Sequence, residues 1–323
     1  MSKKMRGNLM LMLTAIIWGS SFVAQKSGMD LIGPLAFNGI RTTIGGIVLI
    51  PAIMFLNNFK AKKAAAAGEV IVERTPEEKK KENKLLIIGG ICCGIALLVA
   101  STFQQIGIFY TTAGKAGFIT ALYVVLVPIC GLFIGKKVRP VIWICVLASA
   151  VGLYLLCMPA GGGGFGHINK GDVLIMICAL CFTAHILVID YFSPKVDGVK
   201  LSCVQFFVAG ILSIILMFPL DPMLGFDLPT ASTIMATWLP ILYAGVLSCG
   251  VAYTLQIVAQ ADTDPTIASM ILCLESVFAV IAGMIILGES MSARETIGCL
   301  IMFVAIVVSQ LPSKEERLQA KEQ

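Results

Sequence analysis

The sequence predicts an all-α membrane protein of ten transmembrane helices, arranged as an inverted 5+5 repeat. Three observations lead there: a composition too apolar for a water-soluble chain, apolar stretches of membrane-spanning length that recur with short breaks, and a one-sided distribution of basic residues. The chain is 58% hydrophobic and 13% charged, whereas soluble domains carry about a quarter charged residues. Most of it must therefore be solvated by lipid.

A helix needs roughly 20 apolar residues to cross the hydrocarbon. Stretches of that length place the spans near residues 8–26, 34–56, 84–109, 112–134, 139–158, 171–191, 200–220, 236–259, 265–287 and 292–311. Helices rather than barrel strands follow, because the runs are continuous where strands would alternate, and lipid leaves no partner for an open backbone. The first span follows Lys3, Lys4 and Arg6 in the manner of a signal peptide. Its apolar run is too long and no small-x-small cleavage site follows, so it is expected to stay in the mature chain. All 11 cysteines fall in apolar spans, which argues against structural disulfides. Cys178 and Cys181 form a C-x-x-C, but on a membrane helix that spacing suits packing better than metal or redox chemistry.

Lys and Arg gather on the cytoplasmic side of membrane proteins. With the N-terminus inside, 19 of the 24 basic residues fall in cytoplasmic segments, Lys26, Lys170 and Arg294 fall outside, and Arg41 and Lys115 lie within spans. Both termini are therefore expected in the cytoplasm and the chain in the cell membrane. The loop at 57–83 mixes charges and holds too little apolar surface for a domain, so a solvated linker or a short surface helix is expected. Gly161 to Gly164 read as a slack connector; no strand precedes them and no Lys-Ser/Thr follows, as a phosphate loop would require.

The two halves repeat. Asn8 to Lys26 aligns without gaps on Asp172 to Asp190, and Val99 to Gln104 aligns on Val251 to Gln256 with four identities in six. One residue of gap later, Val124, Val127, Gly135, Ile144, Leu147 and Val151 fall on Val277, Val280, Gly288, Ile297, Leu300 and Val304. Repeats at residues 1–158 and 159–311 follow, with a tail at 312–323. Five is odd, so the second copy enters from the opposite face. Inverted halves about an in-plane axis can interchange shapes and open a central site to either side in turn, which predicts a carrier.

Trp18 to Val23 ahead of Pro34, Leu35 and Arg41, the Gly114 to Ile119 run with Pro128, and Leu274-Glu275 through Leu287, Gly288 and Glu289 to Gly298 resemble the EamA branch of the drug/metabolite transporter superfamily. The resemblance covers nearly the whole chain outside the long loop. It implies a ten-helix inverted-repeat carrier of amino acids and other small metabolites, many of them exported. Phe182-Thr183-Ala184 stands where the first half has Trp-Gly-Ser, so the resemblance assigns the sixth span no shared motif role.

Polar side chains at membrane depth supply the candidate site. Thr14, Trp18, Ser21 and Gln25 recur at helical spacing on one stripe of the first span, and Cys249, Tyr253, Gln256 and Gln260 repeat that spacing in the eighth. Ser101, Gln104 and Gln105 lie a turn apart in the third span, and the repeat pairs Gln104 with Gln256. Amides bind and release polar solutes without carrying charge, though each could equally bond helix to helix. His185 aligns with Ser21 and so faces inward, either to exchange a proton or as a packed hydrogen-bond donor. Glu275 stands on a face of small residues, as scaffold or as a second coupling group. Lys115, one turn inside the fourth span, either holds a substrate anion or snorkels to the outer surface. Arg41 reads as an anchor on a carbonyl or headgroup, and Gly131 with Gly135 as a small-x-x-x-small packing pair within or between protomers.

A small-molecule substrate, protons and the lipid bilayer are the expected partners; nucleic acid, cofactors and metals are not. The competing readings are a membrane enzyme and a non-transporting subunit. The enzyme reading lacks H-E-x-x-H, a catalytic carboxylate pair and any Ser/His arrangement.

Overall fold

The computed structural model describes residues 3–29, 31–66, 75–111, 113–157, 169–287, 292–309 and 311. Among them every regular element is helical. The Gly161 to Gly164 connector, Gly288, Glu289 and the tail beyond 311 lie outside the described residues.

The first three elements are α1 (Lys3–Gly28), α2 (Pro34–Ala66) and α3 (Pro76–Tyr110). The expected linker is helical at both ends. The Ala- and Lys-rich stretch through Ala66 consists of good helix formers and extends α2. Thr75 opens α3 with a capping box: its hydroxyl accepts the Glu78 N–H, and the Glu78 carboxylate accepts the Thr75 N–H. Residues 67–74 between them lie outside the described ones.

The fourth span is divided at Leu122 into α4 (Ala113–Ala121) and α5 (Tyr123–Phe133), and α6 (Pro140–Cys157) follows. Gly135 lies beyond the end of α5 with φ 80°, in a turn where its N–H is donated to the Leu132 carbonyl. A side chain would be strained there. Gly131 and Gly135 therefore do not share a helix face, which corrects the packing-pair reading. The same turn places Lys136 against Asp190, and their ion pair ties it to the end of α7 (Lys170–Phe192).

α8 (Gly198–Met223) starts on Asp197, whose carboxylate accepts the N–H groups of Val199 and Lys200. α9 (Ala231–Ala236) and α10 (Trp238–Leu242) lead into a π-helical segment, π1 (Tyr243–Tyr253), which continues as α11 (Thr254–Gln260). The ninth span is divided into α12 (Pro265–Leu272) and α13 (Glu275–Leu287), and α14 (Ala293–Ser309) closes the order.

Six helical stretches among the described residues are long and apolar enough to cross a membrane: Pro34–Phe59, Pro76–Tyr110, Ala116–Phe133, Lys170–Phe192, Gly198–Met223 and Trp238–Gln260. Shorter apolar helices run over Pro140–Leu155, Pro265–Ala279 and Thr296–Ser309. The outside of the bundle is apolar. Ile47, Met54 and Phe55 on α2, Ile144 and Leu147 on α6, and Phe303 and Val307 on α14 are all exposed, while Thr14, Asn38, Gln105, His185 and Gln205 are buried. That inside-out partition is what lipid imposes, and with the apolar helices it makes the chain a multi-pass membrane protein.

α2 packs along α8 and π1, α3 along α7 and α8, and α6 along α14. α1 is enclosed by π1, α11, α12 and α13, and α7 by α3, α4 and α5. Glycines set the closest approaches. A Cβ at Gly19 would lie 2.6 Å from the Glu275 carbonyl oxygen and 2.8 Å from the Ala279 nitrogen, so α1 meets α13 backbone to backbone. Gly19→Ala is expected to cost about 1–3 kcal/mol through overpacking. A lowered thermal midpoint in detergent checks it, and an unchanged midpoint would mean that the helices do not meet at this distance.

Candidate functional site

Polar and aromatic side chains meet in one central cavity. Trp18, Phe22 and Gln25 reach it from α1, Arg41 from α2, Gln104 from α3, and Thr120 and Tyr123 from α4 and α5. Phe182, His185 and Ile186 of α7 line it as well. Ser248 and Tyr253 of π1, Gln256 of α11, and Leu272 and Glu275 on either side of the α12/α13 break complete the wall. The cavity has a volume of about 30 Å³, enough for about two waters.

The stripe on α1 is held against π1. Thr14 donates its hydroxyl to the Ala252 carbonyl at 3.0 Å, and Trp18 donates Nε1–H to the Ser248 carbonyl at 3.4 Å. Trp18 then sets its ring 4.5 Å from that of Tyr253, tilted by 59°. His185 and Phe206 flank the same tyrosine, with ring centroids at 6.0 and 5.9 Å. The result is an aromatic wall centred on Tyr253.

Several polar atoms at this wall are buried without a protein partner. They are Gln25 Oε1, His185 Nδ1 and Gln256 Oε1, all on residues that line the cavity. A buried polar atom left alone is costly, so three around one space point to hydrogen bonds completed by whatever enters it. Glu275 is 4% exposed and its carboxylate accepts the Tyr123 hydroxyl at 3.2 Å.

Of the residues singled out from the sequence, the cavity brings together Trp18, Gln25, Gln104, His185, Tyr253, Gln256 and Glu275. Ser21, Ser101, Gln105 and Gln260 are buried but are not among its lining residues. Ser21 accepts the Gln25 side-chain amide at 3.4 Å, and Ser101 donates to the Leu98 carbonyl within its own helix. Gln105 donates to the Gln25 carbonyl and Gln260 to the Ile186 carbonyl, so both bond helix to helix. The Lys115 side chain lies outside the described residues.

Arg41 differs from the anchor expected on a carbonyl or headgroup: it is 2% exposed and lines the cavity. Thr120 and Tyr123 carried no signal in the sequence, whereas Phe182 could have been found as the repeat mate of Trp18, and Phe22 from its place one turn beyond Trp18.

His185 is fully buried, with Nε2 3.1 Å from Gln205 Oε1 on α8. Removing one partner strands the other, so Gln205→Leu is expected to cost about 1–3 kcal/mol. Thermal unfolding in detergent reads this loss, and an unaltered midpoint would show that the pair holds nothing.

The profile of the EamA-like transporter family matches residues 5–158 and, a second time, residues 169–310. An uncharacterized transporter of Archaeoglobus fulgidus is 32% identical over 312 residues, 96% of this chain and 87% of the relative. An uncharacterized transporter of Clostridium kluyveri is 22% identical over 321 residues, 96% of this chain and 94% of the relative. One crystal structure shares the fold at a TM-score of 0.69 and 19% identity, covering 97% of this chain and 98% of the other.

Proposed function

Because the chain belongs to the EamA-like transporter family, we propose that this membrane transporter is a secondary carrier of small polar metabolites, amino acids or related compounds, moved outward by alternating access. The observation that carries the reading is the cavity itself, where helices of both halves converge on neutral amides, aromatic rings, a guanidinium and a carboxyl group.

Ten spans in two inverted sets of five have several supports. The six long apolar helices, the three shorter ones and α1 together make ten. The packing pattern maps onto itself when the halves are exchanged. The first span against the eighth corresponds to the sixth against the third, the first against the ninth to the sixth against the fourth, and the second–seventh and fifth–tenth contacts to themselves. Side-chain bonds follow suit: Gln105 joins the third span to the first as Gln260 joins the eighth to the sixth. The family profile matching twice divides the chain in the same place, near residues 158 and 169. The basic residues then put both termini in the cytoplasm of a cell whose plasma or inner membrane holds the carrier.

Energy comes from a solute or proton gradient in this reading, since the sequence carries no phosphate-binding loop. Glu275 and His185 are the cavity groups able to take part in proton coupling. In proteoliposomes, uptake or counterflow of at least one member of a panel of amino acids, nucleosides and sugars is expected, with accumulation that responds to an imposed pH gradient. His185→Gln is expected to keep exchange while losing pH-driven accumulation. A panel in which nothing moves would end the carrier reading. Cysteines placed at residues 65 and 320 are expected to react only with reagents that cross the membrane; labelling from outside would overturn the topology.

A further inference from the structure

We propose that Arg41 is the anion clamp of the cavity and Glu275 its cation partner, so that the site selects small solutes carrying a carboxylate and an ammonium at once. The inference rests on the carrier reading and narrows its substrate class.

Arg41 lies two turns into α2, close enough to the helix end for a long side chain to reach a surface. It does not do so. Its Nε donates to Asn38 Oδ1 at 2.9 Å, one turn earlier on the same helix, and the guanidinium carbon stands 5.7 Å from the centroid of the Phe37 ring. These contacts aim the group at the cavity. Its two terminal nitrogens make no hydrogen bond among the described residues, and no described carboxylate lies within ion-pair distance of it. A guanidinium that is 2% exposed, with two donor edges unpaired among the described residues, is suited to receive an anion. Its planar fork matches a carboxylate held by two parallel hydrogen bonds.

Glu275 supplies the opposite pole. One carboxylate oxygen takes the Tyr123 hydroxyl, and the other makes no hydrogen bond among the described residues. Arg41 and Glu275 form no ion pair with each other, yet both border the same space. A ligand with no net charge but separated poles answers both walls. A dianion would leave one of its charges unanswered by the Glu275 carboxyl, and a simple amine would be repelled by Arg41. The unpartnered Gln25 and Gln256 oxygens add hydrogen-bond positions for the ammonium.

The test is counterflow in proteoliposomes with the proteinogenic L-amino acids as probes, followed for each one moved by its decarboxylated amine and its deaminated acid. The intact protein is expected to prefer the amino acid over both analogues by at least about tenfold, because a site built around two charges is left with one unpaired by either analogue. Arg41→Gln is expected to lose the amino acid by at least about tenfold while keeping the amine, and Glu275→Gln to lose it while keeping the acid. Asn38→Ala, a milder change that only frees the guanidinium, is expected to weaken the amino acid several-fold and leave the amine alone. It keeps the inference testable if Arg41→Gln does not fold. Equal loss of amino acid and amine in folded Arg41→Gln or Asn38→Ala would overturn the clamp. So would transport of uncharged sugars or nucleosides but no amino acid, an outcome that leaves the carrier reading standing. An intact protein that moves no member of any panel removes both.

Discussion

Lipid offers no hydrogen-bond partner, so every polar group at membrane depth has to be answered by the protein itself. The arrangement of this chain follows from that constraint. Its outward faces carry Ile, Leu, Val and Phe, and its buried interior carries Thr14, Asn38, Gln105, His185, Gln205 and Gln260. Most of these find partners on a neighbouring span: Thr14 on the Ala252 carbonyl, His185 on Gln205, Gln260 on the Ile186 carbonyl. Two of those acceptors are backbone carbonyls. π1 is suited to the role, since its i→i+5 register departs from the regular ladder and is found mostly at functional positions.

The same constraint explains where the helices break. Irregular backbone is tolerated at membrane depth only where protein or a cavity covers it. α4 gives way to α5 at Leu122, next to Thr120 and Tyr123 in the wall. α12 gives way to α13 at Cys273 and Leu274, between Leu272 and Glu275, and π1 passes into α11 between Tyr253 and Gln256. Each interruption is thus flanked by lining residues. The breaks and the cavity are one feature of the bundle seen from the backbone and from the side chains.

How much of this was legible in the sequence depends on the kind of information each feature needs. Span positions need only length and apolarity, and the expected ranges lie on the helices described above, from Lys3–Gly28 to Ala293–Ser309. Inward faces need helical spacing, which is how the stripe through Trp18 and Gln25 and its counterpart through Tyr253 and Gln256 could be found. The direction of a single long cation needs the rotation of its helix and a partner such as Asn38, and spacing gives neither; Arg41 was misread for that reason. Breaks inside apolar runs leave no compositional trace at Leu122 or Cys273. Gly131 and Gly135 matched a packing spacing only as long as one helix was assumed to run through both.

The cavity is narrow for the work assigned to it. Room for about two waters falls well short of the roughly 300 Å³ at the lower end of ligand pockets, so the carrier reading requires the cavity to widen on loading. The seams that resist widening are identifiable. A Cβ at Gly39, Gly46 or Gly210 would strike Ile214, Phe207 or Thr43, and at Gly90 or Gly94 it would strike Val204 or Val208, so α2 and α3 grip α8 over several turns. α8 contributes nothing to the lining. Beside the uninterrupted α1, α2, α3 and α7, the cavity is lined by the divided elements α4 with α5, π1 with α11, and α12 with α13, each holding a change of backbone register beside it. In the carrier reading, bending at those points moves Tyr123, Tyr253 and Glu275 while the seams of α2 and α3 against α8 stay closed, and it loads the contacts of Gly19 with Glu275 and of Gly45 with Cys249. The carrier reading therefore assigns the motion to the interrupted spans and leaves α2, α3 and α8 as the frame they move against.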